Sequence, residues 1–307
     1  MGSIINEKKN FIRHVLLNSP PGKINDLVSD IKTLFGSSAT IQNSIEDAIS
    51  NYNEKNFVLI PLEDNEYVII CEQSKINNSY VHPKLKILAT VNHLKRKVTG
   101  TTELKELNYP QELESYRELC SVKLEKYLQA HYSKWNEKQT INYPSVNLKC
   151  KNGLSSKCSS SVYASKRGDR FNLFFIICRD RYYLKNFHAS SWRSSWEVNF
   201  LLTDDQVLLR GNIDVALTYF EDANINFKTT KKFEKTVLVN KDVEQFSSTI
   251  LSAISEFENS TLYDLNNFFI NINKELIKST RKIIPLNGDK FNWMETYQDI
   301  PMQIKLT

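Results

Sequence analysis

The stretch RDRYYLKNFHASSWRSSWEVNFLL, residues 179–202, holds two of the four tryptophans of this 307-residue chain. After the second tryptophan, apolar and polar residues alternate: Trp196, Glu197, Val198, Asn199 and Phe200. A period of two predicts a β-strand with one buried face, so Trp196 is predicted to be a core residue. Trp192 stands before this pattern, at the mouth of the predicted strand. Three roles stay open for it: a stacking platform for bases or sugars, a protein-binding hot spot, or core.

The sequence around this stretch predicts a broad antiparallel sheet. Strands are predicted at 171–178, 195–202, 206–220 and 225–230, with a hairpin turn at 221–224. After residue 240, apolar residues recur three or four positions apart for about 40 residues, which is a helix of roughly 60 Å. A helix of that length with one apolar stripe needs equally long support, and the sheet provides it.

The first half of the chain mixes both periods. Helices are predicted at 6–17, 23–35, 41–53 and 112–132 because their apolar residues recur at helical spacing. Short β-strands are predicted between the third and fourth helices, at 57–61, 66–71 and 85–91. Residues 133–160 are polar and show no periodicity, so they are predicted to form an exposed loop.

Composition indicates an ordinary globular protein. The formal charge of +5 comes from 40 basic and 35 acidic residues, which does not call for a nucleic-acid partner. The five cysteines form no CxxC pair, so neither a zinc site nor a disulfide framework is expected: Cys71, Cys120, Cys150, Cys158 and Cys178. Reduced thiols in the cytoplasm are expected instead. Lys8, Lys9 and Arg13 interrupt any N-terminal apolar run, so no signal peptide is predicted.

Sequence signals for catalysis are weak. The chain contains no P-loop, no GxGxxG and no HExxH motif, and its five histidines lie far apart in sequence. We therefore expect no enzyme activity, no cofactor and no metal site.

A basic and aromatic cluster near the C-terminus is the one strong candidate for function. Its members are Lys278, Arg281, Lys282, Lys290 and Trp293. Positive charge near a helix C-terminus complements the helix dipole, which is a structural explanation. A protruding arm that anchors on an acidic protein surface is the functional explanation, and the residues alone leave both open.

Several blocks of the sequence resemble the α-subunit family of F-actin capping protein. They occur in the family's order over nearly the whole chain: LNSPPG at 17–22, His93-Leu94, KNFHASSWRSSW at 185–196, YFED at 219–222, and Arg281-Lys282 with Pro285 and Trp293. The two longer blocks are specific enough to make chance agreement an implausible explanation. Within the third block, Trp192, Arg193 and Trp196 resemble a structural signature of the family's central sheet.

This resemblance implies an α+β fold with five segments. They are an N-terminal antiparallel helix triplet (1–56), a small β region (57–110), a helix and central antiparallel sheet with an insert at 133–160 (111–240), a long helix (241–283) and a mobile C-terminal arm (284–307). The insert is longer than the family's connection at this point. In the arm, Gly288-Asp289 stands where the family usually carries another arginine.

The resemblance also implies the function: capping of the barbed ends of actin filaments. Lys278, Arg281, Lys282 and Lys290 would then contact acidic actin, with Trp293 as an apolar anchor. A capping protein β subunit or a second copy of this chain would complete a dimer, and phosphoinositide headgroups would bind the same basic cluster. The alternative from a different class is a dimeric scaffold that binds other partners through the 133–160 insert.

Overall fold

Helices and antiparallel sheets build the fold, which confirms the predicted α+β class. The computed structural model describes residues 2–19, 23–62, 66–104, 111–133, 154–183, 188–219 and 225–283. Within these ranges the chain forms five α-helices and eleven β-strands.

Three helices open the chain, as predicted: α1 (Gly2–Leu17), α2 (Ile24–Phe35) and α3 (Ala39–Lys55). Each helix turns an apolar stripe toward one shared core, to which Ile12, Val28 and Ile45 belong. Gly36 ends α2 with a φ of 77°, a left-handed conformation that favours glycine, and its N–H donates to the carbonyl of Lys32.

The small β region contains more strands than the sequence predicted. A hairpin of β1 (Val58–Pro61) and β2 (Tyr67–Ile70) precedes a four-stranded meander. The meander consists of β3 (Lys75–Ile76), β4 (Ser79–His82), β5 (Ile87–Asn92) and β6 (Lys97–Glu103). Strands β3, β4 and β6 were not predicted because they are short or largely polar.

The β1–β2 hairpin is buried on both faces and joins two cores. Val58, Ile60, Val68 and Ile70 pack into the core of the helix triplet. Their neighbours Leu59, Tyr67 and Ile69 point the other way and pack against Ile176 and Cys178 of the main sheet. Burial on both faces explains why both strands are continuous apolar runs without alternation.

The main sheet has five long strands, each paired antiparallel with its sequence neighbour. They are β7 (Leu154–Arg167), β8 (Arg170–Tyr183), β9 (His188–Phe200), β10 (Gln206–Tyr219) and β11 (Ile225–Leu238), in the spatial order β11-β10-β9-β8-β7. Trp192 was predicted at the mouth of β9, which is wrong, because the strand begins at His188. The Ser- and Arg-rich start of β9 hides the alternation there.

The prediction of a loop over 133–160 is wrong at its C-terminal end. Leu154 begins β7, which pairs with β8 through fourteen consecutive positions. Residues 154–161 read LSSKCSSS, with almost no apolar residues to reveal a strand, so the pairing partner supplies what the local pattern lacks. The rest of the predicted insert, residues 134–153, lies outside the described residues. The predicted turn at 221–224 and residues Pro20 to Gly22 of the LNSPPG block also lie outside them.

Two helices accompany the main sheet: α4 (Gln111–Ser133) and α5 (Val243–Ile283). The Phe246 ring in the first turn of α5 lies 4.9 Å from the Phe200 ring of β9 and 5.1 Å from the Tyr116 ring of α4, measured between centroids. Helix α4 and the first turn of α5 therefore pack on the sheet face opposite the β1–β2 hairpin. The chain divides into two compact units, Met1–Glu256 and Phe257–Thr307, with the boundary inside α5. None of the described helices is both long and apolar enough to cross a membrane.

Candidate functional site

Trp196 is a packing residue of the main sheet. Its side chain is 2 % exposed, and its indole Nε1 donates to Ser194 Oγ at 2.5 Å. The ring lies against Gly211 on the neighbouring strand, where an added Cβ would stand only 2.2 Å from Trp196 Cε3. Glycine at 211 is therefore what makes room for the tryptophan.

Arg193 connects the main sheet to the helix triplet. Its guanidinium is buried, and Nη2 lies 2.6 Å from Asp180 Oδ1. Its Nε donates to the backbone carbonyl of Asn56, which follows the end of α3, at 2.6 Å. A further donation from Nη1 reaches the carbonyl of Arg179 at 3.0 Å. Burial lowers the pKa of this guanidinium, but the Asp180 carboxylate more than offsets that effect and raises the pKa above its ordinary value. The side chain is thus a charged link between two layers of the fold, held by four hydrogen bonds.

Trp192 lies inside the sheet rather than at a strand end. It faces Arg179 on β8 and Val215 on β10, on the same sheet face as Trp196. Its indole N–H is buried and has no hydrogen-bond partner among the described residues. The residue as a whole is half-buried, so burial does not distinguish between its three possible roles.

Strand β11 forms one edge of the main sheet. All fourteen of its residues pair with β10 on one side, and no strand in the described part of the chain pairs with the other side. Leu238 at its end is 71 % exposed. A long edge strand carries a row of unpaired backbone N–H and C=O groups, so it is a ready surface for pairing with another chain.

The predicted actin-binding residues lie at and beyond the end of α5. Lys278, Arg281 and Lys282 belong to its last turns, where the structure describes the helical backbone but not their side chains. On a helix, positions three and four apart share one face, so the three residues share a face of α5. Lys290 and Trp293 lie outside the described residues. Their role in binding stays a prediction.

A polar network around His93 was missed by the sequence analysis. Asn53 Nδ2 donates to the His93 carbonyl at 3.1 Å and lies 3.3 Å from His93 Nδ1, while Tyr80 Oη lies 3.3 Å from Nε2. Burial lowers the pKa of His93, the Glu54 carboxylate opposes this, and Lys75 adds to the lowering. The network ties α3 to the four-stranded meander, and only the His93-Leu94 block hinted at it.

The described residues contain no cluster of His, Cys, Asp or Glu that could hold a metal ion. Cys71, Cys120 and Cys178 are free thiols. Burial raises the pKa of the Cys71 thiol to about 11 and that of Cys120 to about 12. Such thiols stay protonated near neutral pH, so they are poor nucleophiles.

Comparisons with known proteins agree with these structural features. The family model for the F-actin capping protein alpha subunit matches residues 12–301. Subunits named F-actin-capping protein subunit alpha are 26 % identical in Dictyostelium discoideum (91 % of each chain) and 27 % identical in Saccharomyces cerevisiae (92 % of this chain, 90 % of the relative). A solved structure of the homodimeric actin capping protein alpha subunit from Plasmodium berghei is 63 % identical, with a TM-score of 0.76, over 86 % of this chain and 93 % of that one. The chain belongs to the F-actin capping protein alpha subunit family.

Proposed function

We propose that this chain forms a dimer that caps the barbed ends of actin filaments and blocks both addition and loss of actin subunits. The observation that carries the proposal is 63 % identity to a protein described as a homodimeric actin capping protein alpha subunit. Capping acts by occupying the filament end, so it requires no catalysis, nucleotide, cofactor or metal. The expected location is the cytoplasm, at the actin cytoskeleton.

The open edge of β11 supports a dimer built by sheet extension. Two copies of β11 paired antiparallel about a two-fold axis would join two five-stranded sheets into one and remove the exposed edge. An isologous contact of this kind needs no second gene product, so the proposal favours self-association. A capping protein β subunit is the alternative occupant of the same edge.

The contact with actin is assigned to the end of α5 and the arm beyond it. Lys278, Arg281 and Lys282 would present a compact positive patch that steers the protein toward acidic actin, together with Lys290. Trp293 would bury its ring at the filament end as an anchor. The same positive patch is proposed to bind phosphoinositide headgroups.

Two measurements on the purified chain alone test this function. Light scattering should give twice the chain mass of 35.7 kDa, and substoichiometric protein should stop elongation from actin seeds. Seeds whose barbed ends are already blocked are the control, and their growth should not change. A stable 35.7 kDa species at micromolar concentration would contradict the dimer, and uninhibited growth from free seeds would contradict capping.

A further inference from the structure

A polar cleft of about 700 Å³ lies on the helix triplet, between α1 and α3. Helix α1 contributes Lys9, Asn10 and Arg13 to its wall. Helix α3 contributes a stripe of short polar side chains that runs from Thr40 to Asn51 and contains a single apolar residue, Ala48. The proposed actin contact at the end of α5 and the proposed dimer edge on β11 involve other residues.

The charged groups of the cleft are not neutralised by one another. Lys9 and Arg13 are exposed and make no ion pair within the part of the chain that the structure describes. Asp47 lines the same cleft and likewise makes no ion pair there. The third cation, Lys75, is already engaged by Glu54 at 2.7 Å. The cleft therefore offers two cations and one carboxylate to a ligand.

The uncharged groups match the donors and acceptors of a peptide backbone. Asn10 and Asn43 line the cleft, and each side-chain amide carries both an acceptor oxygen and two N–H donors. Asn51 Nδ2 already donates to the carbonyl of Asp47 at 2.9 Å, which leaves its oxygen as an acceptor. A peptide group, with one N–H and one C=O, pairs naturally with such amides.

The length of the cleft corresponds to a short peptide. Thr40 and Asn51 lie eleven positions apart on α3, and at 1.5 Å per residue the stripe is about 16 Å long. An extended chain advances about 3.3 Å per residue, so about five residues would fill it. An inorganic anion would occupy only a small part of this length and would be repelled by Asp47.

We propose that this cleft binds an extended acidic peptide segment of a partner protein. Acidic side chains of the segment meet Lys9 and Arg13, its backbone pairs with Asn10 and Asn43, and Asp47 accepts from a backbone N–H. The recognition combines charge with fixed hydrogen-bond geometry, so it differs from general attraction to a basic surface.

The test measures the fluorescence anisotropy of a labelled peptide, Glu-Asn-Glu-Ser-Glu, on the full-length protein. Lys9→Gln/Arg13→Gln should raise the Kd at least tenfold. Lys8→Gln/Lys55→Gln removes the same charge from the same helices outside the cleft, and it should change the Kd less than twofold. Asn43→Leu keeps the charge but removes a side-chain amide from the cleft, so it should also weaken binding. Circular dichroism checks that each variant is folded.

Three results would overturn the proposal. One is equal weakening by the cleft variant and its charge-matched control, and another is unchanged binding by Asn43→Leu, since both indicate non-specific attraction. The third is displacement of the peptide by millimolar inorganic phosphate at constant ionic strength, which would make the cleft an anion site. The assay contains no actin, so its outcome is independent of the proposed capping function.

Discussion

Gly211→Ala should destabilise the protein through a single contact. The new Cβ would lie 2.2 Å from Trp196 Cε3, 2.6 Å from Trp196 Cδ2 and 2.7 Å from the backbone oxygen of Ser195. The tryptophan is buried and hydrogen-bonded, so either the ring or the strand must shift. Overpacking of this kind costs about 1–3 kcal/mol, and the entropy gain of replacing glycine by alanine offsets about 0.4–1 kcal/mol. A net loss of about 1–2 kcal/mol is expected, which for a chain of this length corresponds to a fall of about 2–3 °C in Tm.

Gly100→Ala is the matched control for this experiment. Gly100 also lies in a strand, but nothing stands within 4 Å of an added Cβ. The substitution should leave the Tm unchanged or raise it slightly, because it restricts only the unfolded chain. Thermal unfolding is followed by circular dichroism at one fixed protein concentration, since dimerisation makes the Tm depend on concentration.

A double-mutant cycle isolates the contact between the glycine and the ring. Trp196→Ala alone leaves a cavity that costs about 3–5 kcal/mol. In that background Gly211→Ala meets no ring, so its cost should fall by at least 1 kcal/mol, within the range of about 0.5–3 kcal/mol seen for contacting residues. Equal Tm values for the Gly211 and Gly100 variants, or an unchanged cost without Trp196, would refute the reasoning.

Four further predictions concern the buried network and the arm. Arg193→Met leaves Asp180 buried without its partner, so thermal unfolding should show a loss of about 3–5 kcal/mol, partly restored by adding Asp180→Leu. Burial lowers the pKa of His93, so the unfolded chain binds more protons just below pH 6.5. The Tm should therefore fall as pH decreases from 7 to 5, and His93→Gln should reduce that fall; an equal fall in both proteins would contradict this. Neutralising the helix-borne basic patch should slow association with seeds and flatten its salt dependence in elongation assays: Lys278→Ala, Arg281→Ala and Lys282→Ala. Trp293→Ala should instead speed dissociation, with a loss of about 2 kcal/mol in binding, and filaments that stay capped as long as with the unmodified protein would count against the anchor.

Periodicity in the sequence predicted the elements that have one apolar face. The strands that were found, such as β8 and β10, contain clear apolar runs or alternation, and α5 repeats apolar residues at helical spacing. These elements face a core directly, so their side chains alone carry the signal. The predicted starts and ends were less accurate, and at the start of β9 polar residues continue the pairing back to His188 beyond the apolar segment.

Elements that depend on a neighbour escaped the sequence analysis. Strand β7 begins with a run of serines and owes its conformation to β8, with which it pairs throughout. Strand β6 is almost entirely exposed and is held by β5. Local composition cannot reveal a strand whose stabilising contacts lie on another segment.

The candidate site was only partly predictable for the same reason. The basic cluster near the C-terminus is visible as a cluster because its members are close in sequence. The partners of Arg193 are not: Asp180 is 13 positions away and the Asn56 carbonyl 137 positions away. The cleft between α1 and α3 likewise exists only once the two helices pack side by side.

The WRSSW block shows why one short stretch carries so much of the fold. Successive residues of a strand point to opposite faces, so Trp196 faces the side of the sheet on which α4 and the first turn of α5 pack, while Arg193 faces the side of the hairpin and α3. A slip of one residue would move the guanidinium to the face with the aromatic rings and the indole to the face of the hairpin. It would also move the ring away from Gly211, the position on β10 that leaves room for it. The register of β9 is therefore fixed independently by the Arg193–Asp180 ion pair on one face and by the fit of Trp196 against Gly211 on the other. Because the two positions act on opposite faces, the stability effects of substitutions at Arg193 and Trp196 should be close to additive.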